Sequence, residues 1–212
     1  MTPDKLAAGF REERVLRAQG YRLIAGIDEV GRGPLAGPVV AAAVVLDVRC
    51  GWDGVDDSKQ LAPDAREIIY ARVLAEARAF AWALVGPRTI DALNIRRASL
   101  EAMRRAVARL GVSPDLVLVD GNELVPGLAC RQLPVVAGDS RLLSVAAASV
   151  VAKVVRDRIM VRPDRRWPGY GFARHKGYGT PEHLAALSRL GPCPLHRFSF
   201  APVRVQELPL FA

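Results

Sequence analysis

Three times in this sequence a short apolar run ends on a carboxylate. Leu23 to Ile27 runs into Asp28-Glu29, Leu116 to Val119 into Asp120, and Val135 to Gly138 into Asp139. Short Val- and Leu-rich runs read as buried strands, and the stretches between them carry helical spacing. In an α/β sheet the carboxyl ends of strands border the usual ligand crevice, so acids far apart in sequence can converge there. Carboxylates packed together raise one another's pKa unless a cation neutralises them. A hard divalent ion such as Mg²⁺ or Mn²⁺ suits oxygen ligands of this kind.

The spacing predicts helices over residues 4–18, 63–78 and 89–110, and an almost wholly apolar one over 140–160. Strands are expected over 21–27, 38–46, 80–85, 115–120 and 133–137. Strands mixed with helices mean an α/β layered domain. With half of its 212 residues hydrophobic, the chain can build one sizeable core. Its longest apolar runs fall far short of the roughly 18 residues that span a bilayer, and its N-terminus lacks the apolar region of a secretory signal. No membrane partner and a cytoplasmic, monomeric protein are therefore expected. Three widely spaced cysteines indicate neither a disulfide framework nor a zinc ribbon. The three histidines form no compact ligand motif, which leaves oxygen ligands for any metal.

Charge is unevenly placed. Residues 141–212 hold 12 Lys and Arg against 4 Asp and Glu, which accounts for the whole net charge of +8. A basic segment of this kind is either an arginine-rich solvated surface or a footprint for a polyanion, most often nucleic acid. Other readings of the acids exist residue by residue. Asp139 before Ser140 fits a helix N-cap, and Asp120 before Gly121-Asn122 fits a turn. The pair Asp28-Glu29 is harder to assign to structure, because it ends a buried strand and meets Gly31-Arg32-Gly33-Pro34. Acids together with a basic segment point to metal-dependent phosphodiester hydrolysis.

The stretch Gly26-Ile27-Asp28-Glu29-Val30-Gly31-Arg32-Gly33-Pro34-Leu35-Ala36-Gly37-Pro38 closely resembles the opening signature of the ribonuclease HII family. The resemblance continues through Asp57-Ser58-Lys59, Asp120-Gly121-Asn122, Gly138-Asp139-Ser140, Ala148-Ser149 to Arg158, His175-Lys176-Gly177-Tyr178 and His196-Arg197, in the family's order over roughly residues 20–204. It implies an RNase H-like fold: a central mixed β-sheet flanked by helices, with a C-terminal helical extension. One domain over 1–212 is expected, with a catalytic core at about 20–162 and a basic helical part at about 163–212.

The implied activity is an endonuclease that cuts the RNA strand of RNA–DNA hybrids and incises 5′ of single ribonucleotides embedded in duplex DNA. Asp28, Glu29, Asp120 and Asp139 match the family's four catalytic carboxylates, which bind Mn²⁺ or Mg²⁺. Gly31, Arg32 and Gly33 match the loop that reads the 2′-hydroxyl through its backbone, which glycines let approach a ribose closely. Tyr178 matches the aromatic that stacks on the next sugar.

Lys59, Lys176 and Arg197 are expected to meet phosphates. The chain has four lysines against 26 arginines, so lysines kept inside motifs hint at a role Arg does not fill. Phe198 stands where the family often has a second Arg. The tail Gln206 to Phe211 loosely resembles, in poor register, peptides that dock on sliding clamps; packing on its own domain is the reading the sequence favours. A different class of function, a non-catalytic nucleic-acid-binding protein with a vestigial nuclease site, would be expected to have lost an acid; all four are present.

Overall fold

The structure, a computed structural model, describes residues 3–52, 54–55 and 58–204, with side chains from residue 11 onward. Asp57 and the tail Gln206 to Phe211 lie outside the described residues. Five strands form one sheet: β1 (Ile24–Val30), β2 (Val39–Val45), β3 (Ala79–Val85), β4 (Leu116–Asp120) and β5 (Arg131–Val135). Their spatial order is β3-β2-β1-β4-β5. β2 runs antiparallel to both neighbours, whereas β1, β4 and β5 are parallel. The mixed sheet flanked by helices expected from the sequence is the one observed.

Every residue of β2 is buried, and its continuous apolar sequence is explained by the two layers around it. Val39, Ala41, Ala43 and Val45 join a core completed by α4 (Ile95–Ala108). Val40, Ala42 and Val44 join another, completed by α2 (Pro63–Glu76) and α5 (Leu143–Val161). Gly26 lets α5 lie directly on β1: a Cβ there would sit 2.2 Å from the Ser144 carbonyl carbon. Ahead of the sheet runs α1 (Pro3–Ala18), and α3 (Pro87–Leu93) precedes α4. Among the described residues four short helices follow α5: α6 (Pro163–Arg166), α7 (Phe172–His175), α8 (Pro181–Leu190) and α9 (Ala201–Arg204). Among the described residues no helix is long and apolar enough to cross a membrane.

Several boundaries differ from the sequence reading. The helix expected over 89–110 is two helices, broken at Asn94, whose φ of 70° lies in the left-handed region and whose side chain accepts the Arg97 amide at 3.1 Å. β1 begins at Ile24, because the Asp115 carboxylate takes the amides of Arg22 and Leu23 before the ladder starts. It also extends through Val30, so Asp28 and Glu29 sit within the strand. β5 ends at Val135, and Ala137 turns left-handed at φ 54° to carry the chain into a 3₁₀ turn, Gly138–Ser140. Pro134 is tolerated there because β5 is an edge strand.

Candidate active site

The four acids converge where the parallel strands end. Alternation along β1 sends Asp28 and Glu29 to opposite faces. Asp28 lies on the α5 side, where the nearby Ser149 hydroxyl favours its charged form, and Glu29 lines a cleft on the α4 side together with Asp120, Arg32 and Arg96. Asp120 ends β4, and its Oδ1 accepts the Gly138 amide at 2.8 Å, which pins the turn carrying Asp139. Asp139 is buried at 6% exposure and accepts Lys59 Nζ at 2.9 Å. Glu29 pairs with Arg32 at 3.1 Å.

Asp139 does not cap α5. The helix starts after Leu142, and the Ser144 amide is taken by Glu13 Oε1 of α1 at 2.8 Å. Burial, then the charges of Glu29 and Asp120, holds the Asp28 carboxyl well above the usual carboxylate range. Burial likewise raises Glu29 against the opposing pull of Arg32, and burial with Asp139 nearby raises Asp120. The acids thus share one repulsive field, answered in part by two cations. Among the described residues no three His, Cys, Asp or Glu side chains are arranged as a ready-made ligand cage.

Beside the acids, three chain segments lock together. Leu35 and Ala36 donate to the Gly177 carbonyl at 2.8 and 3.3 Å, and Arg197 N donates to the Leu35 carbonyl at 2.8 Å. A Cβ on Gly177 would lie 2.4 Å from the Ala36 oxygen, so a glycine is needed for this contact. Tyr178 follows, 40% exposed, with its ring 5.6 Å from the Arg156 guanidinium beneath it. Lys176 is half-buried and donates to the Ala173 carbonyl.

Arg197 is not where a phosphate contact requires it. Its side chain is fully buried and bonded to the carbonyls of Gly31, Arg32 and Gly37. Burial, reinforced by the nearby Arg156 charge, brings its pKa down to about 9. Phe198 packs on Leu35, Leu187 and Val203, while its amide donates to Asp91 at 3.0 Å.

Sequence reasoning did not single out Ser149, Ser58 or Arg156 as parts of this site. The Ser58 and Ser149 hydroxyls bond at 2.8 Å, tying the Lys59 segment to α5 beneath Asp28. A polar residue inside an otherwise apolar helix was the available signal for Ser149 and Arg156. The histidines, scattered in sequence, meet in space: His183 and His196 bring their Nε2 atoms within 3.1 Å, and His175 stacks on His183 at 4.3 Å. Burial and the neighbouring imidazole lower His196 to about 4, burial also lowers His183, and His183 Nδ1 holds the Tyr178 carbonyl at 2.9 Å.

A family model described as ribonuclease HII matches residues 25–203. The ribonuclease HII of Brucella ovis is 52% identical over 200 residues, which cover 94% of this chain and 91% of that relative. The crystal structure of ribonuclease H2 from Pyrococcus horikoshii superposes with a TM-score of 0.75 at 27% identity, covering 88% of this chain and 97% of that one. An Archaeoglobus fulgidus structure, a PCNA:RNase HII complex, gives a TM-score of 0.71 at 26% identity over 85% of this chain and 96% of its own.

Proposed function

The chain belongs to the ribonuclease HII family, whose members are metal-dependent endoribonucleases, and from that premise we propose that it hydrolyses the RNA strand of RNA–DNA hybrids and incises duplex DNA on the 5′ side of a single embedded ribonucleotide. The observation that carries this reading is the convergence of Asp28, Glu29, Asp120 and Asp139 at the ends of three adjacent parallel strands, beside a glycine-rich loop. Four oxygen donors in one repulsive field fit a hard divalent cation, Mg²⁺ or Mn²⁺. These four residues would hold it, and such an ion supplies activation of water and stabilisation of the leaving oxygen. Asp120 also orients its neighbour, since its grip on the Gly138 amide sets where Asp139 stands.

Lys59 and Lys176 are the residues we assign to phosphates; the Lys59 side chain is 77% exposed and reaches across to Asp139. The backbone of Gly31 to Gly33 reads the 2′-hydroxyl, and the exposed ring of Tyr178 stacks on the following sugar. The test is cleavage of a duplex carrying one ribonucleotide, with Mg²⁺ or Mn²⁺, by the wild type and by Asp120→Asn, resolved on a sequencing gel. Cutting on the 5′ side, lost on substitution, is the expected result. A folded wild type that binds the duplex and does not cut it would favour the non-catalytic, nucleic-acid-binding alternative.

For recruitment, we propose that Gln206 to Phe211 docks on a sliding clamp. The Archaeoglobus relative solved with PCNA supports this reading. Equal clamp recovery in a pull-down with and without residues 206–212 would overturn it.

A further inference from the structure

Arg197 carries a charge that packing alone does not require. It is fully buried, and among the described residues no carboxylate pairs with it. Its donors go to main-chain oxygens instead: Nη2 to Gly31 at 2.6 Å, Nη1 to Arg32 at 2.9 Å and Nε to Gly37 at 3.0 Å. Burying a guanidinium against neutral carbonyls is unfavourable compared with leaving it in water, so the arrangement must yield something an apolar side chain would not.

What it yields follows from peptide geometry. In a planar trans peptide the C=O and the next N–H point in opposite directions. Holding the Gly31 and Arg32 carbonyls inward therefore turns the amides of Arg32 and Gly33 outward. Among the described residues neither amide has an acceptor.

The loop cannot relax out of this pose. Gly31 has φ 94°, and a Cβ on it would lie 2.2 Å from Arg156 Nε, so the chain rests directly on a second buried guanidinium. Arg156 in turn donates to Pro38 and Lys176 carbonyls, both at 3.0 Å, from below. On the outer side, by contrast, a Cβ on Gly33 would meet nothing within 4 Å, so the space beside that residue is open.

We propose that Arg197 is a positioning residue for substrate recognition: its fork holds the Gly31 and Arg32 carbonyls so that the Arg32 and Gly33 amides form a preset pair of donors for a ribose 2′-hydroxyl. This rests on the reading above that the loop faces that hydroxyl, and it replaces the expected contact between Arg197 and a phosphate. A preset donor pair loses no freedom on binding, which is how a single hydroxyl comes to discriminate RNA from DNA.

The experiment measures binding, with EDTA present so that no strand is cut, to two duplexes that differ by one 2′-hydroxyl. The wild type prefers the ribonucleotide duplex. Arg197→Lys keeps the charge and loses the fork, and its preference is expected to fall about tenfold, the worth of one well-made hydrogen bond. Its affinity for the all-DNA duplex stays unchanged, whereas a general structural defect would weaken both duplexes together. Gly33→Ala, which the fold accommodates, places a methyl where the ribose approaches and also lowers the preference.

If Gly33→Ala lowers the preference and a folded Arg197→Lys does not, the role of Arg197 is overturned and the loop reading stands. If Gly33→Ala changes nothing, or the wild type shows no preference, the loop reading itself falls. Hydrogen exchange on the wild type tests the preset donor pair without any variant. The Arg32 and Gly33 amides should exchange freely in the free protein and be protected by the ribonucleotide duplex alone; protection in the free protein overturns the proposal.

Discussion

Asp28 illustrates what burying one carboxyl among others does to stability. It is 5% exposed, and burial with Glu29 and Asp120 nearby raises its carboxyl well above the usual range. An acid whose folded pKa is raised contributes stability below its unfolded value, near 3.9, and that contribution is lost as pH rises through the folded value. In metal-free protein at pH 7, Asp28→Asn should therefore raise the Tm by a few degrees, about 1 kcal/mol in a chain of this size. Asn retains the oxygen that accepts the Glu29 amide at 2.7 Å, so the local strand geometry is kept. The gain should vanish in melts near pH 4, and an unchanged or lower Tm at pH 7 would rule out burial as the cause. The four acids were legible in the sequence because each ends an apolar run. Arg197 was not, since nothing along the chain separates it from the other 25 arginines.

At the scale of elements, α5 lies directly on β1 at Gly26. A Cβ there would meet the Ser144 carbonyl carbon at 2.2 Å and the Val145 nitrogen at 2.3 Å, both backbone atoms that move only with the whole helix. Gly26→Ala should thus cost about 3 kcal/mol, seen as a lowered Tm in a thermal melt. It should also loosen the link from Ser149 on α5 to Asp28 on β1. Gly33→Ala is the control, with open space for its methyl and no change in Tm expected; a wild-type Tm for Gly26→Ala would show that the layers can part without strain.

Strand and helix positions followed from periodicity and turn residues, which act within a few positions. The misplaced boundaries at Ile24, Asn94 and Ala137 share a cause. Each is set by a hydrogen bond or a backbone turn that competes with the regular element, as Asp115 does for Arg22 and Leu23.

Across the whole molecule, the basic excess of residues 141–212 is shared between α5 with its flanks and the segment containing α6 to α9, which packs against the loop beside the acids. If these charges meet phosphates, binding releases counterions and weakens with salt. The Kd for an RNA–DNA hybrid should rise at least tenfold between roughly 50 and 200 mM salt. A change under threefold would place the excess on a surface the substrate does not touch.

The sequence by itself determined the layered α/β class, the acids, the family motifs and the charge asymmetry, because periodicity, residue chemistry and spacing are properties of neighbours along the chain. Only the tertiary structure decided that Arg197 lies inside, that Lys59 meets Asp139, and that three histidines support the Tyr178 segment. Those outcomes depend on burial and on partners as remote as the 160 positions between Arg197 and Gly37, and such contacts exist only once the layers have packed.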